Sequence, residues 1–379
     1  MNKNEIIQIQ GTAYKKMTKQ LLTECDLAAL IPQKDSRIGI KPNLVAPVPA
    51  EFGGTTHPEV VAGIVEYLQE NGFTNMRIME GSWVGDRTEE SFEVCGYRAL
   101  SERYGVPLID AQKEKSIPVR CADLELQICE CARMVDFMIN VPVMKGHCQT
   151  KITCALKNMK GLLPNKEKRH FHAMGLHRPI AHLGLGIHQD FILVDNICGD
   201  LDFEDGGNPF VMNRLFAGLD PVLIDAYVCE ELHYKPEEIM YVKMAEELGV
   251  GSADLTRLSV RQIGEAGEKR RIPEKRKIVE LQDAVEEVDS CSACYGYLIP
   301  ALDRLKEEGM LQEIHEKICI GQGYRGKSGE LGVGSCTSGF RCSLKGCPPT
   351  DEQMYEFLKQ YIEKNRKHKQ KSSMTGENE

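Results

Sequence analysis

The stretch RIGIKPNLVAPVPAEFGGTTHPEVVAGIVEYLQENGFTNMRIMEGS, residues 37 to 82, decides the fold class. Its opening RIGIKPNLV reads as a buried strand closed by the Pro42-Asn43 pair. In TTHPEVVAGIVEYLQENGF, Thr56 is the expected N-cap and Pro58 falls in the first turn. Val60, Val61, Ile64, Val65 and Leu68 recur at helical spacing, and Gly72 supplies the stop. MRIMEGS then reads as a second strand. Strand, helix and strand at this length predict a βαβ unit, hence a mostly parallel sheet flanked by helices.

Working outward, the rhythm continues through GVPLIDA (105–111), MVDFMINVPVM (134–144), QDFILVDNICG (189–199) and DPVLIDAYVCEEL (220–232). A helix is expected over 235–248, and the α/β domain, 1–264, closes near DLTRLSVRQIG. The charged stretch 265–282 with Pro273 reads as a linker, 283–365 as a small module rich in Cys and Gly, and 366–379 as a disordered tail.

With 379 residues, 42% hydrophobic and 27% charged, the composition is that of a globular chain with two cores or one large core and an appendage. A net charge of −9 argues against nucleic acid as a partner. No apolar run has the length of a signal peptide core or a membrane span, so a cytoplasmic protein with no membrane partner is expected. In that reducing compartment 15 cysteines point to metal ligation, catalysis or buried thiols rather than disulfides.

The segment ICIGQGYRGKSGELGVGSC, 318–336, matches both G-x-x-x-x-G-K-[ST] and G-x-G-x-x-G. A phosphate-binding loop needs a helix directly after its Lys-Ser, and GELGVGSCTSGF has no helical period, so the match reads as accidental. Glycine has another use beside thiolates, where it lets backbone N–H groups approach the sulfurs of an iron–sulfur cluster. CSAC (Cys291, Cys294), GSC (Cys336), RC (Cys342) and GCPP (Cys347) offer five thiols for four places. Cys291, Cys294, Cys336 and Cys347 are the expected ligands of one [4Fe–4S] cluster, although spacing alone does not exclude Cys342. Zinc is the alternative metal, since a C-x-x-C pair with two further cysteines also fits a tetrahedral site.

Together KPNLV, GGTTHPEVV, VPVMKGHCQTKITCALKNMKGLLP, LVDNICG, DPVLID and the terminal CSAC, GSC and GCPP resemble the family known as domain of unknown function 362. The resemblance covers roughly residues 37 to 349, with its most specific part in K-x-H and A-L-K-N. It implies this fold and an associated iron–sulfur cluster, and it implies no particular reaction. The chain has no ferredoxin repeat, so a two-cluster wire is not expected.

The richest polar segment, residues 143–184, comes after an apolar run, which sets Lys145 and His147 at the carboxyl end of a strand, the edge where open α/β sheets bind ligands. Lys145, Lys151, Lys157 and Lys160, with Asn158, offer donors to a carboxylate or phosphate. His147, His170, His172, His177 and His182 offer proton transfer or metal ligation. We expect Lys145, His147 and Lys157 to be catalytic, and Lys41, Asn43, Thr56, His57, Asn158, His170 and Asp195 to bind substrate; Asp225 also ends an apolar run. The plain counter-reading is a solvated lysine face beside a mobile loop.

The expected function is a cluster-binding protein that passes single electrons to a small anionic substrate or a redox partner protein. A separate flavin or a second protein would join it where two electrons are needed. One alternative is a non-redox proton-transfer enzyme of racemase or dehydratase type with a structural cluster; another is a zinc-stabilised binding or scaffold protein.

Overall fold

The computed structural model describes residues 1–204, 208–264, 270–273 and 277–375, with the backbone alone at 277, 280, 292, 293 and 367–375. The chain divides into two compact units, Met1–Glu274 and Lys275–Glu379. The larger holds strands β1 (Glu5–Gln10), β2 (Ile38–Pro42), β3 (Met76–Glu80), β4 (Leu108–Asp110), β5 (Ser116–Cys121), β6 (Leu124–Cys129), β7 (Phe137–Val141), β8 (Lys145–His147), β9 (Lys151–Thr153), β10 (Phe191–Asp200), β11 (Pro209–Gly218) and β12 (Ser259–Ile263).

Eight of these form one sheet in the order β12-β1-β11-β10-β7-β2-β3-β4. The pairs β10–β7, β7–β2, β2–β3, β3–β4 and β1–β12 are parallel, and β1–β11 and β10–β11 are antiparallel. Successive side chains of a strand face opposite ways, and both faces of this sheet are covered. Ile38, Ile40, Phe137, Ile139, Phe191 and Leu193 therefore join one core with helices Tyr14–Glu24 and Pro58–Glu70. Met79, Met138, Ile192 and Val194 join another with helices His177–Gly186, Pro221–Glu231 and Met240–Glu247.

The chain runs from β2 outward to β3 and β4, then returns to lay β7 against the other side of β2. That reversal leaves a crevice at the carboxyl ends of β2, β3 and β7, the place where sheets of this kind take ligands.

Several expectations change. Thr56 does not cap the helix at Pro58, because its hydroxyl is drawn into the sheet: it donates to the Val141 carbonyl and accepts from the Asn43 N–H, both at 2.8 Å. The run 220–232 is a helix, capped by Asp220, whose carboxylate accepts from the N–H groups of Val222 and Leu223. Asp225 consequently lies on a helix and accepts from the N–H groups of Ala155 and Leu156, capping the short helix Ala155–Asn158.

The smaller unit carries β13 (Val285–Glu287), β14 (Ile318–Ile320), β15 (Leu331–Val333) and β16 (Cys342–Leu344), paired in parallel in chain order. Helix Ser292–Glu307 packs on helix Asp351–Thr375 through Leu298, Leu302, Leu305, Met354, Leu358 and Ile362. The backbone of the last helix continues into the stretch expected to be a tail, and residues 376–379 lie outside those described. Of the expected linker, 265–269 and 274–276 lie outside the described residues and Lys277–Gln282 is helical.

A candidate anion cavity and a cysteine cup

The crevice in the larger unit is a cavity of about 80 Å³. Its floor is a buried ion pair. Lys41, at the end of β2, donates to Glu80 Oε2 at the end of β3 (2.8 Å) and to the Pro42 carbonyl (2.7 Å). Glu80 also accepts from the N–H groups of Leu44 and Gly81, which satisfies a carboxylate that would be costly to bury alone. Asn158 locks the floor: its amide accepts from Asn43 Nδ2 at 2.9 Å and donates to Asn140 Oδ1 at 2.7 Å. Gly161 has to be glycine here, because a Cβ would stand 1.9 Å from Glu80 Oε1 and 2.6 Å from Lys41 Nζ.

One wall carries Lys145, His147 and Glu204. Lys145 donates to Asn43 Oδ1 (3.0 Å) and to the carbonyls of Gly54 and Glu204 (2.5 Å each). His147 Nδ1 accepts from the N–H groups of Gln149 and Thr150, so its proton sits on Nε2, which donates to the Glu204 carboxylate at 3.0 Å. Burial pushes the His147 imidazole down to about 4 against the pull of Glu204. Burial would raise Glu204, but His147, Lys157 and Lys160 hold its carboxyl below the usual range.

Lys157, Lys160, Lys168 and His172 also line the cavity. Lys157 donates to Thr153 Oγ1 at 3.2 Å, and Lys168 to the carbonyls of Gly81 and Ser82 at 2.8 Å each. Burial lowers Lys157, brings Lys168 to about 8, and pushes His172 far below its ordinary value; His172 Nδ1 has no hydrogen-bond partner. Five lysines face two carboxylates, so the cavity carries excess positive charge and suits an anion. His147, Cys148 and Glu204 have ligand atoms within 4.8 Å of one another. With Lys157 and Lys160 beside Glu204, that trio serves an ion pair better than a cation.

Of the residues expected at the site, Asn43, Lys145, His147, Lys157 and Asn158 line this cavity, and Lys41 lies beneath it. Thr56, His57 and Asp195 form a buried support instead: His57 Nδ1 meets Asp195 Oδ2 at 2.8 Å, and the His57 N–H donates to the same oxygen. His170 is exposed and pairs with Glu167 on its own helix, away from the cavity lining. Glu80, Lys168 and Glu204 go unread in the sequence: Glu80 ends β3, Lys168 lies on the helix Asn165–Met174 and Glu204 on a loop, with no motif around any of them.

In the smaller unit Cys291, Cys294, Cys336 and Cys347 line one cup with Gly321, Gln322, Arg325, Gly334 and Gly346; Cys342 is not in the lining. Gln322 Nε2 donates to Cys291 Sγ at 3.5 Å, and the Arg325 guanidinium hydrogen-bonds the Cys336 sulfur. The glycine-rich stretch 321–328 thus forms a wall of this cup, and Ser328 leads into β15 rather than into a helix. Among the described residues, no three of these sulfurs lie within 4.8 Å of one another.

Among the described residues no helix is long and apolar enough to cross a membrane. Over 229 residues, 58% of this chain and 71% of the other, the sequence is 25% identical to the thylakoid-associated protein sll1697 of Synechocystis sp.. The lactate racemase apoprotein of Thermoanaerobacterium thermosaccharolyticum aligns with a TM-score of 0.37 at 15% identity over 64% of this chain and 56% of that one, so the chain spans little more than half of that protein. The family model described as domain of unknown function (DUF362) matches residues 38–230, and the chain belongs to that family.

Proposed function

We propose that this chain is an iron–sulfur protein, holding one cluster on Cys291, Cys294, Cys336 and Cys347, and that its larger unit binds a small anionic molecule in the lysine-lined cavity. The convergence of four thiols on one glycine-walled cup carries the reading. A tetrahedral zinc would hold its sulfurs about 3.8 Å apart, given Zn–S bonds of about 2.3 Å. The glycines around these sulfurs, which let backbone N–H groups approach them, favour a cluster, whose thiolates sit on separate irons. The N–H groups of Gln322 and Arg325 would stabilise thiolate charge, and a cluster held there would supply single-electron transfer.

The test is anaerobic purification followed by iron, sulfide and zinc analysis and absorption spectra before and after dithionite. About four irons and four sulfides per chain, with a broad visible band that bleaches, is the expected outcome. One zinc without iron overturns the cluster and leaves a zinc-stabilised scaffold.

A second reading rests on the larger unit. A neutral His147 hydrogen-bonded to Glu204 beside depressed lysines suits proton transfer at a carbon next to a carboxylate, as in a racemase or dehydratase with a structural cluster. Turnover insensitive to the reduction state of the cluster would favour it over the redox reading.

A further inference from the structure

The five lysines of the cavity are not equivalent. Lys41 is ion-paired, Lys145 has three oxygen acceptors, Lys168 has two carbonyls and Lys157 has the Thr153 hydroxyl. Lys160 lines the same cavity; its carbonyl accepts from the Leu163 N–H, and its amine makes no hydrogen bond or ion pair among the described residues. It stands on the short turn Met159–Leu162, whose Met159 and Leu162 are fully buried, and the next residue, Gly161, is pinned against Lys41 and Glu80. The amine is thus carried on a rigid base, near Lys157, Lys168 and Glu204 and with no hydrogen-bond acceptor of its own.

We propose that Lys160 is a nucleophile that forms an imine with a small oxo acid drawn into this cavity, a reading that rests on the anion-binding role proposed above. An amine adds to a carbonyl only when it is unprotonated. Burial, then the charges of Lys157 and Lys168, hold the Lys160 amine well below its ordinary value, while Glu204 pulls the other way. The same neighbours that depress the Lys160 amine line the cavity and can hold the carboxylate of the substrate.

In the step itself the Lys160 nitrogen bonds to the carbonyl carbon as the C=O π bond breaks, and one N–H proton passes to the oxygen. The C–O bond then breaks, the second N–H proton leaves with it as water, and a C=N bond remains. One amine and one carbonyl give one imine and one water, with no oxidant or reductant. The size of the cavity limits the acid to a short chain.

The test uses the full chain with pyruvate and sodium cyanoborohydride near neutral pH, read by peptide mass spectrometry. The expected result is a reduced adduct on Lys160 exceeding any surface lysine by about tenfold or more, since each unit of pKa depression frees about ten times more amine. Lys160→Arg keeps a long side chain without a nucleophilic amine and abolishes the adduct, and its far-UV circular dichroism checks the fold. In parallel, thermal stabilisation by pyruvate and by propionate, which lacks the carbonyl, is measured. Stabilisation by both acids without an adduct overturns the imine and leaves the anion site standing. No stabilisation and no adduct overturns both.

Discussion

The two units use the same residue type in opposite ways. All nine cysteines of the larger unit are buried, whereas the six of the smaller unit are partly or fully exposed. Burial raises the thiols of Cys25, Cys129 and Cys131 to about 12, so they pack as small apolar side chains and stay protonated. Cys291 and Cys294 are also raised by burial, and then by the other cysteines of the cup, a mutual penalty that a bound metal would relieve. A count of cysteines therefore says little about chemistry; the neighbours decide it.

The largest expected difference between the two sets is in metal content. Cys294→Ala should remove nearly all iron from the anaerobically purified protein, and Cys342→Ala should leave it in place; iron analysis of the two variants against the parent reads the contrast. Equal loss in both would make Cys342 a ligand and dissolve the four-thiol cup.

The floor of the cavity comes next. Lys41→Met strands the Glu80 carboxylate in a buried place and should destabilise the larger unit by about 3–5 kcal/mol in denaturant titration. Thr56→Val deletes both sheet-bridging hydrogen bonds and leaves the Asn43 N–H and the Val141 carbonyl unpaired, for about 1–3 kcal/mol in the same titration. An effect of Thr56→Val as large as that of Lys41→Met would mean that the hydroxyl, not the ion pair, governs the crevice.

The smallest effect is on pH dependence. Folded His147 takes a proton only near pH 4, whereas the unfolded chain takes it near 6.5. Between those values this group binds more protons in the unfolded state, so the stability it contributes falls as the pH drops from 6.5 to 4. His147→Gln should make that part of the stability profile shallower, with the remaining slope left to groups such as His172, and leave the alkaline side unchanged.

The parts of the fold legible in the sequence are those whose signals are local. β2, helix Pro58–Glu70 and β3 follow from apolar spacing and from glycine and proline. In the antiparallel heart of the sheet, β1 pairs with β11 across some two hundred positions, which no local pattern announces, whereas β10 and β11 pair as near neighbours in the chain. The hairpin β5–β6 turns at Ala122 with φ 53°, a conformation that glycine or asparagine would have advertised and alanine hides. In the site, Lys145, His147 and Lys157 are legible because one segment carries them. Glu80 and Glu204 reach the cavity only through the sheet topology, and Lys168, in the same segment, reaches it from a helix whose inner face no motif marks.

The uneven burial of thiols also gives the protein a built-in clock. A maleimide offered to the native, metal-free chain should react first with the six sulfurs after residue 290. The nine before residue 230 should become reactive only as the larger unit opens. The delay before the later labels appear, tracked by mass, would therefore time the opening of the larger unit, without a fluorophore or any change to the sequence.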